Sequence, residues 1–224
     1  MSLKAILQYI QPAHQVPTTF WSAETPLTLK PKPITSLFLI LGLWIFGTGD
    51  AFLIAAGVGN TPWTVLAEGI AFKIDWSVGQ ATFLVSILVL FLWIPLREKP
   101  GIGTILNVIL IAAAIEIMVP LLPTPTNDRL ALLQAFGGVI LIGIGSGLYL
   151  TANLGPGPRD GWMTGLQQKT GWPIARVRIS IEITVLILGV ALEGTFGWGT
   201  IMFAIGIGPA VAMCLGVASH WSKG

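Results

Sequence analysis

The sequence has little charge and almost no sulfur or imidazole chemistry. Only 10% of its 224 residues are charged, against about 25% in a typical soluble domain. The formal net charge of +2 is too small to indicate a nucleic-acid partner. One cysteine, Cys214, and two histidines exclude an internal disulfide framework and a Cys/His-rich metal site. Because no Walker loop occurs either, the sequence predicts no metal and no cofactor.

Long apolar runs take the place of these features. The chain is 54% hydrophobic, with a mean hydropathy of +0.81, and runs of roughly 20 apolar residues predict membrane-spanning helices. We expect six such helices, at residues 34–56, 77–96, 103–121, 132–151, 174–192 and 200–218. Two shorter, semi-polar segments, Pro62–Ile74 and Pro158–Thr170, each begin at a proline. The bilayer is therefore the first predicted partner.

Residues 1–34 form a polar, proline-rich N-terminal tail in this interpretation. The tail lacks the apolar region and cleavage site of a signal peptide. Residues 3–10 fit either a short amphipathic helix at the membrane surface or a loosely ordered tail. The rest of the chain divides into a first membrane repeat at 35–122 and a second at 131–218.

A shift of 96 residues aligns the two halves without a gap, from about residue 42 to residue 114. Glycines fall on glycines, and Pro62 falls on Pro158. The further matched pairs include Gly59 and Gly155, Lys73 and Lys169, Trp76 and Trp172, and Thr104 and Thr200. Glycine matches are common in membrane sequences, but Pro, Lys and Trp matches at one fixed shift indicate a tandem duplication.

The number of crossings in each copy decides how the two copies are related. Thirteen helical residues reach about 20 Å, whereas the hydrocarbon core is about 30 Å thick, so the short segments are expected to re-enter the membrane or lie at its surface. The predicted fold is an all-α polytopic membrane protein with six transmembrane helices, arranged as two inverted three-helix repeats. In the alternative, the short segments also span and the two copies are parallel.

The distribution of basic residues predicts the orientation. With six spans, ten Lys and Arg residues fall on the side of the N-terminus, against Lys73 and Arg129 on the other side. Because basic residues concentrate in cytoplasmic loops, both termini are expected in the cytoplasm.

The short segments begin with residues that are typical of helix N-termini. Thr61 and Gly157 precede prolines at the first helical position, and helix N-termini attract anions through free N–H groups and the helix dipole. The alternative is a pair of interfacial helices that merely close loops. The predicted substrate pathway comprises Asn60, Thr61, Thr64, Arg159, Asp160 and Glu182.

Three acids lie within predicted spans: Asp50, Glu116 and Glu182. Acids in the membrane are costly and usually face a cavity or a partner, so these three are candidates for ion or proton coupling, with Glu182 the foremost. The alternative for Asp50 and Glu116 is a hydrogen-bonded position near the membrane surface. For Asp160, the alternative is a helix-dipole partner.

Small-residue faces are expected at helix contacts. The segments Gly143-x-Gly145-x-Gly147 and Gly206-x-Gly208 favour close packing between helices over a pore-lining role.

Three functional classes remain after these observations. The interpretation that we favour is transport or export of an unknown small solute. The alternatives are a non-transporting accessory or assembly protein and an intramembrane enzyme, and a homo-oligomer or another membrane partner stays open. Ser146-Gly147 resembles part of a serine-protease motif, but Ile144 replaces the expected glycine and His220 is at the end of the last span. We therefore expect no enzyme.

Three segments carry a resemblance to a known family. Residues 57–66 (GVGNTPWTVL), 93–96 (WIPL) and 99–107 (KPGIGTILN) resemble the YczE/YitT-type bacterial membrane protein family. The usual family pattern has an aspartate after the Pro-Trp pair, where this chain has Thr64 and the second copy has Asp160. The resemblance implies a multi-pass protein of the bacterial cytoplasmic membrane. The family is largely uncharacterised and implies no substrate.

Overall fold

The computed structural model describes residues 15–222, and its regular elements in that range are helical apart from one isolated β-bridge. The segment 3–10 lies outside the described residues. The α-helices are α1 (Pro33–Ala56), α2 (Pro62–Ile74), α3 (Val78–Phe91), α4 (Ile102–Met118), α5 (Asp128–Ala152), α6 (Pro158–Thr170), α7 (Ile174–Ala191) and α8 (Trp198–Ser219). Short 3-10 turns, Ile94–Leu96 and Val119–Leu121, follow α3 and α4.

Five helical segments are long and apolar enough to cross a membrane. They are Pro33–Ala56, Val78–Leu96, Ile102–Leu121, Asp128–Ala152 and Trp198–Ser219. The chain is thus a polytopic all-α membrane protein. The segment expected to form the sixth span is α7, an 18-residue helix. Arg176, Arg178 and Glu182 make it too charged to be counted with these five.

The two short helices begin and end at the predicted residues. The Thr61 hydroxyl accepts a hydrogen bond from the Thr64 backbone N–H at 3.3 Å, which confirms the predicted cap of α2. The helix that contains the fourth expected span, 132–151, starts four residues before it. The helix begins at Asp128 because the Asn127 side chain accepts from the Leu130 N–H at 3.0 Å and caps it.

Helices α1 and α5 pack backbone against backbone and run antiparallel. A Cβ on Gly42 would lie 2.9 Å from the Gly145 carbonyl oxygen, and a Cβ on Gly49 would lie 2.7 Å from the Gly138 carbonyl oxygen. The contact therefore moves forward along α1 while it moves backward along α5. No side chain fits between these backbones, as expected of small-residue membrane contacts.

These contacts are exchanged by the 96-residue shift. It carries Gly42 onto Gly138 and Gly49 onto Gly145, so each α1–α5 contact is the counterpart of the other. Backbone hydrogen bonds repeat the relation. The Gly103 N–H donates to the Leu154 carbonyl at 2.7 Å, and the Gly199 N–H donates to the Val58 carbonyl at 2.8 Å. The loop before each short helix thus packs against the other half of the chain.

The first and last described segments lie at the same end of the helices. The Trp21 indole N–H donates to the Thr151 hydroxyl at 3.1 Å, at the end of α5. Thr19 forms an antiparallel bridge with Ser222. Both ends of the described chain are therefore on one face of the protein.

Replacing Gly145 with alanine should destabilise the protein, because the new Cβ would lie 2.5 Å from the Phe46 backbone nitrogen. Such overpacking costs about 1–3 kcal/mol. The matched control is Gly137→Ala on the same helix, where the new Cβ would lie 3.8 Å from Phe52 Cδ1, an ordinary van der Waals contact. The measurement is the midpoint of thermal unfolding in detergent. Equal midpoints for the two variants would contradict the backbone contact.

Candidate functional site

A cavity of about 150 Å³ lies where the N-terminal ends of α2 and α6 meet. Thr61 and Trp63 line it from α2, and residues 158–160 line it from α6. The other walls come from the middle of longer helices, including Ile111, Ile142 and Ile207. Both halves of the chain thus contribute to the cavity, which is smaller than the 300–1,000 Å³ typical of drug-sized ligands.

The start of α6 is held in place by the first half of the chain. The Thr104 hydroxyl donates to the Pro156 carbonyl at 2.7 Å, and the Trp93 indole N–H donates to the Pro158 carbonyl at 2.9 Å. Gly161 lies directly against the Trp93 ring, where a Cβ would overlap the indole. The absence of a side chain at Gly161 therefore lets Trp93 reach the helix end.

Arg159 is the central charge of the cavity. Its guanidinium carbon lies 5.1 Å from the centre of the Trp63 ring, within the range of a cation–π contact. The same guanidinium interacts electrostatically with three acids: Asp50, Asp160 and Glu182. One arginine from α6 thus compensates carboxylates from α1, α6 and α7.

Asp50 is fully buried and lies beside the N-terminus of α2. Its Oδ1 accepts from the Thr64 hydroxyl at 3.3 Å, and that hydroxyl also lies 2.8 Å from the Thr61 hydroxyl. Its Oδ2 has no hydrogen-bond partner within residues 15–222. A buried carboxylate needs compensation, which Arg159 and the N-terminus of α2 supply. Asp50 is therefore a hydrogen-bonded acid inside the helix bundle.

Asp160 lies in the first turn of α6 and accepts a hydrogen bond from the Tyr149 hydroxyl. It also lines the cavity. The two interpretations of Asp160, as a helix-dipole partner and as a cavity residue, therefore both hold.

Glu182 lies halfway along α7 and lines the same cavity. Arg159 and Arg178 act on it electrostatically, and the Trp63 indole N–H interacts with it. Its Oε2 is nevertheless buried without a partner at hydrogen-bond distance among the described residues. The Glu182 carboxylate is therefore the acidic group that α7 contributes to the cavity.

Two of the predicted residues are elsewhere. Glu116 is exposed at the end of α4 and accepts a hydrogen bond from the Ser77 hydroxyl, away from the cavity lining. Asn60 is buried, and its amide donates to Glu68 Oε2 at 3.0 Å. Four of the predicted residues line the cavity: Thr61, Arg159, Asp160 and Glu182. Thr64 and Asp50 lie behind this lining and are linked to Thr61 by hydroxyl contacts, whereas Glu116 and Asn60 lie outside.

Sequence reasoning missed Glu68, Tyr149 and Arg178. Glu68 Oε2 accepts from Asn60 and from the Thr195 backbone N–H at 2.6 Å, so it ties α2 to the loop before α8. The sequence feature that could have revealed Glu68 is its charge within the otherwise apolar stretch of the first short segment. Nothing in the sequence indicates that Tyr149 reaches Asp160, since this contact depends on the turn between α5 and α6.

The helices and the charged cavity among them define a polytopic α-helical membrane protein. Residues 34–216 match a family of unknown function, DUF6198, and the chain belongs to this YczE-type family. An uncharacterised protein of Haemophilus influenzae is 41% identical over 92% of this chain and 93% of its own length.

Two relatives come from Bacillus subtilis. The uncharacterised membrane protein YczE is 34% identical, over 75% of this chain and 79% of its own. The uncharacterised protein YyaS is 26% identical, over 72% of this chain and 83% of its own. No solved structure matches this chain.

Replacing Glu68 with alanine should lower stability by about 1–3 kcal/mol, because the buried Asn60 amide and the Thr195 N–H both lose their acceptor. The matched control is Glu193→Ala. Glu193 forms an exposed ion pair with Lys73 at 3.0 Å, worth about 0–1 kcal/mol. Thermal unfolding of the purified variants is the measurement. A loss for Glu68→Ala no larger than that for Glu193→Ala would show that Glu68 does not hold the loop.

Proposed function

We propose that this chain is a transporter or exporter of a small polar solute in the bacterial cytoplasmic membrane. The solute binds in the cavity between two inverted repeats, with α7 as the sixth span. The observation that carries the proposal is the meeting of both short-helix N-termini, one from each half, in one charged cavity.

The antiparallel packing of α1 and α5 supports the inversion. These two helices are repeat counterparts. If the copies were parallel, as in the eight-span alternative, α1 and α5 would cross the membrane in the same direction. An antiparallel pair instead places the two-fold axis between the halves in the membrane plane, which is the arrangement of many transporters.

The charges of α7 are compatible with a spanning helix. Glu182 is partly buried and lines the cavity, as does one side of the exposed Arg178, and ionisable residues in membranes usually face such a cavity or a partner. Arg176 lies near the helix start and stacks 5.5 Å from the Trp172 ring centre, as expected of an arginine at the membrane surface.

The face that carries both ends of the described chain is the cytoplasmic one in this proposal. The positive-inside distribution supports this assignment. Lys73 and Glu193, which pair at 3.0 Å, then lie together on the outer face.

The composition of the cavity defines the kind of solute. Arg159 and the helix N-termini suit an acidic group, and the Glu182 carboxylate suits a cationic group that donates hydrogen bonds. The cavity volume of about 150 Å³ admits only a small molecule or the head of a larger one.

Purified protein in nanodiscs should be stabilised by at least one small charged solute in a panel of phosphoethanolamine, taurine, glycine betaine and inorganic phosphate. A ligand at 100 times its Kd raises stability by about 2.7 kcal/mol. Arg159→Gln should abolish this rise in thermal stability. The matched control Arg176→Gln, which is outside the cavity lining, should keep it. The same solute should cross the membrane of proteoliposomes only when the protein is present.

Binding without flux would contradict transport and favour the accessory alternative. Failure of the whole panel, together with a membrane partner that stays bound after mild solubilisation, would also favour the accessory alternative. A shift that survives Arg159→Gln would contradict the proposed location of the site.

If Glu182 takes up and releases a proton during transport, Glu182→Gln should flatten the pH dependence of solute binding. The charged and titratable groups around Glu182 are Arg159, Asp160 and Arg178, with Asp50 and Tyr149 also interacting with Arg159. Glu116→Gln is the control, since Glu116 lies outside the cavity lining. Binding measured across the pH range should change for the first variant alone. An unchanged profile in Glu182→Gln would exclude the coupling role.

A further inference from the structure

One helix pair differs between the two halves. In the first half, α3 packs on α4, and a Cβ on Gly79 would lie 2.9 Å from the Ala112 carbonyl oxygen. The repeat counterparts of these residues are Ala175 in α7 and Gly208 in α8. Among the described residues, α7 and α8 make little contact, and no atom lies within 4 Å of a Cβ built on Gly208. Gly208 thus makes no helix contact within the described chain, whereas Gly206 of the same predicted face lies against Val139.

The space between α7 and α8 is an apolar groove of about 330 Å³. Ile179 and Ile183 line one wall, and Ile201 and Ala204 line the other. The side chains of Ile179 and Ile183 are 58% and 52% exposed. Because both helices cross the membrane in the proposed arrangement, the mouth of the groove faces the lipid chains.

The groove shares a wall with the charged cavity. Arg178, Glu182, Phe203 and Ile207 line both spaces. An apolar groove open towards lipid thus has a guanidinium and a carboxylate at its inner side, next to the cavity. A solute that came only from water would need no such opening.

We propose that the substrate is a single-chain amphiphile with a small zwitterionic head, which enters sideways from the bilayer between α7 and α8. This inference rests on the proposed function and names its substrate class. The apolar chain lies in the groove against Ile179 and Ile183. The acidic group of the head binds Arg159 or Arg178, and the amino group pairs with the Glu182 carboxylate, which borders both spaces.

The test compares three probes on the full chain in nanodiscs: lysophosphatidylethanolamine, phosphoethanolamine as the head alone, and a fatty alcohol as the chain alone. Lysophosphatidylethanolamine should bind more tightly than either fragment. Ala204→Trp, which fills the groove, should weaken its binding by roughly tenfold or more, the scale of one altered apolar pocket contact. Binding of phosphoethanolamine should not change.

Ile205→Trp is the matched control. Ile205 is on the same helix, is 73% exposed and lies outside the groove lining, so this variant should bind all three probes like the wild type. Ile183→Trp, on the opposite wall, is the second variant in case Ala204→Trp is unstable. The unfolding midpoint and the particle mass of each variant are measured alongside binding.

Equal affinity for phosphoethanolamine and lysophosphatidylethanolamine, with no loss in either groove variant, would overturn the amphiphile proposal. Transport of a water-soluble solute would still stand if Arg159→Gln abolishes phosphoethanolamine binding. A changed particle mass in the groove variants, without a change in amphiphile binding, would show instead that the groove is an interface between copies of this chain. Amphiphile binding lost in both groove variants and kept in Ile205→Trp supports the proposal.

Discussion

The backbone contact between α1 and α5 is the constraint on which the rest of the structure depends. Gly42 and Gly49 bring α1 against Gly145 and Gly138 of α5 with no side chain between them. In a bilayer, where lipid tails are as apolar as the helices, such close packing is a main source of helix association. The 96-residue shift exchanges the two glycine contacts. The α1–α5 contact therefore also fixes how one half of the chain lies on the other. The loops before the short helices can then cross over, and their N-termini meet in one cavity.

The cavity depends in turn on Arg159. Charges inside a membrane protein are costly unless they are paired, and this arginine interacts with acids from three helices. Its ring contact with Trp63 links the start of α6 to the start of α2 across the two halves. The partnerless oxygens of Asp50 and Glu182 show that the described side chains do not satisfy the site completely. In the proposed function this site binds the polar group of a solute, and in the proposed entry route the apolar groove beside Glu182 admits that solute from the bilayer.

Local chemistry made part of this structure predictable. The short helices follow from prolines at their first positions, and the repeat was visible because Pro62, Lys73 and Trp76 recur at one shift. The different environments of Asp50 and Glu116 were not predictable, because both are acids in apolar runs. Only the packing of the helices places Asp50 at the N-terminus of α2. The surroundings of Gly208 were not predictable either. Its small-residue pattern matches that of α5, but α7, the helix that it would contact by analogy with the first half, lies too far away.

The inverted relation of the halves is the central claim, and the sidedness of two repeat counterparts tests it most directly. Ile74 ends α2 and Thr170 ends α6; both are exposed, and the 96-residue shift relates them. Single cysteines, Ile74→Cys and Thr170→Cys, are placed in a Cys214→Ser background and treated with a membrane-impermeant maleimide on spheroplasts. Inverted repeats predict labelling of Ile74→Cys in intact spheroplasts, and labelling of Thr170→Cys only after permeabilisation. Labelling of both cysteines from the same side would contradict the inversion.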